Sequence, residues 1–171
     1  MIELHSSSPD NTRAIAATVA AIARGGDLII LVGQMGAGKT AFAQGFAKAL
    51  GIDEPITSPT YTLVHTYATG SSTSARALHH ADLYRLEHTA EVDDLALAEL
   101  LDDRSIMLVE WGDVVDLGPH LRIELRIDDS QLEAVGADDL DGREITLEST
   151  GRGWASRWAI LEGALEQWSV S

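Results

Sequence analysis

The chain has 171 residues and a formal charge of −15, from 27 acidic against 12 basic side chains, with no cysteine. That length suffices for one domain with a substantial core, and the lack of thiols excludes a disulfide framework or a thiolate metal site. The acidic balance opposes autonomous binding to a nucleic-acid backbone, whose affinity comes from Lys and Arg releasing counterions.

Met1 to His5 lacks the basic and apolar regions of a signal peptide, and no apolar run approaches membrane-spanning length, so a cytoplasmic protein with no membrane partner is expected. Ile2 to Leu4 predicts a short strand. Ser8, Pro9 and Asp10 then supply an N-cap, a first helical residue with preset φ, and an acid favoured by the helix dipole. They open a helix to about Arg24, with Ile15, Val19 and Ile22 three to four residues apart, and Gly25 and Gly26 end it.

Leu28 to Val32 is an unbroken apolar run, the pattern of a parallel strand buried on both faces. It runs directly into Gly33–Thr40, which has the P-loop spacing G-x-x-x-x-G-K-[ST]. Wrapping a phosphate in backbone N–H groups needs positive φ and close approach, which glycine permits, and a helix N-terminus adds partial positive charge. Phe42, Phe46, Ala49 and Leu50 provide that helix, ended by Gly51. Gly33, Gly36, Ala37, Gly38, Lys39, Thr40 and Ala41 are therefore the candidate nucleotide contacts. Lys39 is expected to reach the β and γ phosphates, and Thr40 to offer its hydroxyl to Mg²⁺. The chain has only two lysines, Lys39 and Lys48, so a lysine at the required place is not a by-product of abundance.

Thr57 to Thr60 reads as a polar turn, and the β-rich runs Tyr61 to Tyr67 and Ala77 to Ala81 as an antiparallel hairpin. Residues 68–76 between them are small, polar and glycine-containing, which predicts a flexible tip whose shortening costs little stability. Val92, Leu95, Leu97, Leu100 and Leu101 predict a helix over 91–101. Ile106 to Val109 is a second continuous apolar strand, delivering Glu110, Trp111 and Gly112 at the carboxyl end, where open α/β sheets place their ligands. Leu121 to Ile127 alternates apolar and charged residues, a strand with one wet face, and Arg143 to Glu148 is similar. A helix from about Trp154 to Trp168, with Trp158, Leu161 and Leu165 on one side, closes the chain. The fold class that follows is α/β: a P-loop NTPase-like mixed sheet with a parallel centre and antiparallel additions, flanked by helices, in a single domain over 1–171.

A P-loop needs a second carboxylate for Mg²⁺ or its water, and Glu110 at a strand end meets that need, by direct or water-mediated contact. Alternation puts His80 and Asp82 on one strand face; Asp82 is placed to orient water or sense the γ-phosphate, or the two are ordinary polar strand residues. A zinc site lacks a third ligand at a telling spacing. No N-K-x-D or T-K-x-D motif reads guanine, and Asp139 to Gly142 has a D-x-x-G form without a preceding apolar strand, which favours ATP over GTP. A small-molecule kinase also suits this set, although no arginine-rich lid stretch or acceptor site is evident; a nucleotide-dependent interaction module is the other alternative.

Gly33–Thr40, Ser58 to Val64, His80 to Leu86 and Val109 to Trp111, in that order, resemble the TsaE (YjeE) family over about residues 6–148. The resemblance implies a small Mg²⁺-dependent P-loop ATPase supporting threonylcarbamoyladenosine modification of tRNA adenosine 37. In that family the ATPase associates with the TsaB and TsaD proteins, meeting tRNA only through the complex. It further implies that Lys39 and Thr40 are the phosphate and Mg²⁺ residues, that Glu110 is the second Mg²⁺ residue, and that Asp82 and Trp111 are required neighbours. Arg143 corresponds to a region near a nucleotide contact, and Thr12 to one near the adenine. The sequence departs from the family pattern at Gln34, usually an acid, and at Ala41, usually a second threonine.

Overall fold

The computed structural model describes residues 1–57, 64–84, 97–114, 116–128 and 142–170. Seven strands form one sheet in the order β1-β7-β6-β2-β5-β4-β3, comprising β1 Ile2–Ser6, β2 Leu28–Val32, β3 Val64–Ala68, β4 Ala77–Asp82, β5 Ser105–Glu110, β6 Leu121–Ile127 and β7 Arg143–Ser149. The centre β6-β2-β5-β4 is parallel, while β1 and β7 on one side and β3 on the other pair antiparallel. Every residue of β2 and β5 is buried, as their continuous apolar runs require. The mixed sheet, its parallel centre and its flanking helices agree with the sequence reading.

Helix α1, Pro9–Ile22, starts where the N-cap predicts: Ser8 is extended and its hydroxyl accepts from the Asn11 amide. It stops two residues before Arg24 because Ala23 is already extended. Helix α2, Lys39–Ala49, packs on α1 over one face of the sheet, burying Phe42 and Phe46 in the larger core. The crossing is close at Gly45, where an added Cβ would stand 2.6 Å from the Arg13 Cα. A second, smaller core on the other face gathers Leu28, Ile30, Leu83, Met107 and Val109.

The C-terminal segment is shorter as an α-helix than its periodicity predicts. Only Trp158–Leu165 is α-helical, with 3-10 turns at Ala155–Arg157 and Glu166–Trp168. It is pinned by a buried ion pair. The Arg157 guanidinium donates to both oxygens of Asp27 at 2.7 Å and also to the carbonyls of Ile22 and Gly153, while stacking on Trp154.

The hairpin tip is docked instead of projecting freely, as composition alone suggests. The Gly70 amide donates to the Leu50 carbonyl at the end of α2, and the Thr73 hydroxyl bonds Gly70 and Ala75 carbonyls. The Ser74 hydroxyl reaches the Ala23 carbonyl, and Ala75 is buried. Small polar residues here close the loop on itself and onto two helix ends, so removing 70–74 would remove these bonds. The turn at 58–60, the first half of the 61–67 strand and most of the 91–101 helix lie outside the described residues; of that helix, Leu97–Leu100 is helical. Among the described residues no helix is long and apolar enough to cross a membrane.

Candidate active site

Because β2, β5 and β4 are parallel neighbours, their carboxyl ends lie along one edge, and register sets Glu110 beside both Leu31 and Asp82. A cleft of about 290 Å³ opens there. Of the residues anticipated from sequence, it is lined by Gly36, Gly38, Lys39, Thr40, Asp82, Glu110 and Trp111, with Met35 and Tyr84 in addition. Gly38 is the N-cap of α2 and has φ 103°, a conformation that a side chain would strain. It turns the chain so that Lys39 and Thr40 begin the helix at the cleft.

Lys39 is 6% exposed, and its ammonium donates to the Gly33 carbonyl at 2.6 Å and the Gln34 carbonyl at 2.9 Å. Burial lowers its pKa, while the Glu110, Asp82 and Asp113 carboxylates oppose that shift. Thr40 is exposed. Burial raises the pKa of Asp82 and the Glu110 charge adds to the rise, whereas the Tyr84 amide, donating to Asp82 Oδ1 at 3.0 Å, works against it with His80 and Lys39.

Trp111 directly follows β5 with φ 60°, and it is the one non-glycine residue with positive φ among those described. Its amide donates to the Leu31 carbonyl, and its ring lies 4.1 Å from the Lys39 ammonium and 5.0 Å from the Tyr84 ring. Arg143 comes from β7 to the far side of the loop, donating to the carbonyls of Ala37 and Gly36. It thus braces the loop from a strand more than a hundred residues away in sequence. Ala37 is fully buried and Ala41 half-buried. Gly33 faces a neighbouring cleft toward β6, lined also by Gln34, Glu124 and Asp128. Thr12 is in neither cleft. It is 1% exposed, with its hydroxyl 2.8 Å from that of Ser6.

Sequence reasoning left His80 as a strand residue without a role. Its Nε2 lies 2.9 Å from Glu110 Oε1, and both side chains are buried. Alternation placed His80 on the face of Asp82, but only the β4–β5 register puts it against Glu110. Tyr84 carries no signal in the sequence beyond its closeness to Asp82 and its place in the His80 to Leu86 stretch.

The donor set suits a hard cation with phosphate. Thr40 offers a hydroxyl, and Asp82 and Glu110 offer carboxylates, all oxygen ligands of the kind Mg²⁺ takes. Among the described residues no group of three His, Asp or Glu is placed to hold a metal alone.

A family model described as threonylcarbamoyl adenosine biosynthesis protein TsaE matches residues 6–137. The chain is 38% identical over 145 residues to the tRNA threonylcarbamoyladenosine biosynthesis protein TsaE of Bacillus subtilis (strain 168), covering 84% of this chain and 83% of that protein. Against the protein of the same name from Streptomyces coelicolor it is 36% identical over 146 residues, covering 84% and 94%. A solved structure described as the crystal structure of Bacillus subtilus YdiB superposes with TM-score 0.67 at 30% identity, covering 98% of this chain and 97% of that one.

Proposed function

The chain belongs to the TsaE family, and from that membership we propose that it is the Mg²⁺-dependent ATPase subunit of tRNA threonylcarbamoyladenosine formation, working with TsaB and TsaD. One observation carries the ATPase part of this reading: a lysine and a hydroxyl at a glycine-capped helix start share one cleft with two strand-end carboxylates. On this reading the fold is P-loop NTPase-like, and the 171 residues act as one ATPase domain in the cytoplasm.

Lys39 neutralises the β and γ phosphates, and the glycine loop from Gly33 cradles them. Thr40 and Glu110 hold Mg²⁺, which when bound offsets phosphate charge. Asp82 sits on a separate strand from Glu110 and orients the attacking water or senses the γ-phosphate. Arg143 holds the loop in shape through the Gly36 and Ala37 carbonyls. The exposed hydroxyl of Thr40 remains for the metal although Ala41 lacks one. The charge of −15 favours tRNA contact through the partner proteins and not through this chain.

The test is a titration of Mg²⁺ against a fluorescent ADP, followed by phosphate release with TsaB and TsaD present. Glu110→Ala is expected to shift the Mg²⁺ midpoint, and Asp82→Ala to keep ADP affinity while losing phosphate release. Undiminished ATP turnover in Lys39→Ala would sink the ATPase reading.

A further inference from the structure

We propose that His80 is the positioning residue of Glu110: its imidazole Nε2–H holds Oε1 of the carboxylate, leaving the other oxygen at the cleft without a hydrogen-bond partner among the described residues. The inference rests on the Mg²⁺-ATPase reading of that cleft and extends it to a residue outside the glycine loop.

The contact is short, buried and exclusive. Nε2 and Oε1 are 2.9 Å apart, His80 is fully buried and Glu110 is 2% exposed. No other side-chain hydrogen bond to Glu110 occurs among the described residues. Parallel pairing fixes both ends, because Asp82 stands opposite Glu110 and His80 opposite Leu108 on rigid central strands. A ligand carried on such strands and oriented by a second buried group is held more precisely than one on a loop.

The other ring nitrogen decides which atom carries the proton. His80 Nδ1 is buried with no hydrogen-bond partner among the described residues. A neutral imidazole has one N–H and one bare nitrogen, and the arrangement that leaves the N–H unsatisfied wastes a donor and sets two lone pairs against each other. With the proton on Nε2, the N–H meets a carboxylate oxygen that accepts it, and only a weak acceptor goes without a partner. The β4 strand thus supplies two functional side chains on one face, Asp82 at the cleft and His80 one step behind Glu110.

Two measurements test this. In the wild-type protein, a long-range ¹H–¹⁵N spectrum is expected to show His80 as the Nε2–H tautomer; the Nδ1–H tautomer would overturn the proposal without any variant. In the fluorescent-ADP titration, His80→Leu is expected to raise the Mg²⁺ midpoint about tenfold or more, the usual consequence of losing an outer-shell partner. ADP binding without Mg²⁺ is expected to stay at the parent level. His80→Gln, whose amide N–H reaches about as far from the backbone as Nε2, is expected to restore most of the loss. In a Glu110→Gln background, His80→Leu is expected to add nothing further. An unshifted midpoint in His80→Leu, or equal losses in the Leu and Gln variants, would overturn the positioning role. If the parent itself shows no Mg²⁺ dependence, the Mg²⁺-ATPase reading fails instead, so the two failures are distinct.

Discussion

The ammonium nitrogen of Lys39 lies 4.1 Å from the centre of the Trp111 ring, and the ring is there because Trp111 adopts a left-handed backbone with φ 60°. For a bulky residue that conformation costs on the order of 1–3 kcal/mol. A desolvated cation–π contact returns about 2 kcal/mol. The two are of similar size, so the strained residue is held by its neighbours and not by its own preference. It also gives Lys39, the buried one of the chain's two lysines, an aromatic face beside its ammonium.

Replacing Trp111 should expose this strain directly. Both Trp111→Ala and Trp111→Gly lose the indole contact with Lys39, yet only glycine tolerates φ 60° freely. The glycine variant is expected to be more stable than the alanine variant by about 1 kcal/mol in urea unfolding. The opposite order would mean that the left-handed backbone is absent in solution.

Asp82→Asn should stabilise the fold while removing function. The folded state raises the Asp82 pKa, chiefly through burial, so it binds a proton more tightly than the unfolded chain. Stability therefore falls as pH rises through the window between the unfolded and folded values, and the whole cost is present above that window. Asparagine carries no charge and keeps an oxygen for the Tyr84 amide. The variant is expected to melt above the parent at neutral pH, by roughly 1–3 °C, with the gap closing as acid protonates the parent carboxyl. A parent that melts higher at pH 7 would show that attraction to Lys39 outweighs burial.

Gly45→Ala sets two principles against each other. Alanine in a helix interior is worth about 1 kcal/mol over glycine. Here the new Cβ would stand 2.6 Å from the Arg13 Cα, which forces α1 and α2 apart. The clash is expected to win, with a net loss of roughly 1–3 kcal/mol by chemical denaturation. A net gain would show that the two helices separate at little cost.

What could be read from the chain alone was whatever depends on neighbours in sequence. The buried strand at Leu28 to Val32, the Ser8 cap and the glycine spacing before Lys39 each declare themselves within a dozen residues. Glu110 at a strand end was legible for the same reason. The bond from His80 to Glu110 was not, since it depends on how β4 registers with β5, which no local pattern encodes. The bonds that the tip makes to helix carbonyls are not legible either, because small polar residues look alike whether they face water or bond to those carbonyls.

The Asp27–Arg157 pair is another contact of that hidden kind, joining residues 130 apart. Arg157 is 4% exposed and Asp27 8%, so removing one partner strands a charge in the core. Arg157→Met or Asp27→Asn alone is expected to cost about 3–5 kcal/mol, and the double variant less than the sum of the two. Strict additivity in a double-mutant cycle would show that the pair is not coupled.

Strand β1 pairs with β7, Ile2 opposite Leu147, so the first strand made waits for the last. At about 5–20 residues per second, that wait on the ribosome is roughly 7–30 s. Only its last part, about 1–4 s at that rate, falls between β6 and β7, and in that interval β6, whose outer neighbour is β7, offers unpaired backbone along one side. Slow translation between β6 and β7 lengthens the time during which another nascent chain can pair there. Codon choice over 128–142 is thus a lever on soluble yield that leaves the finished protein unchanged.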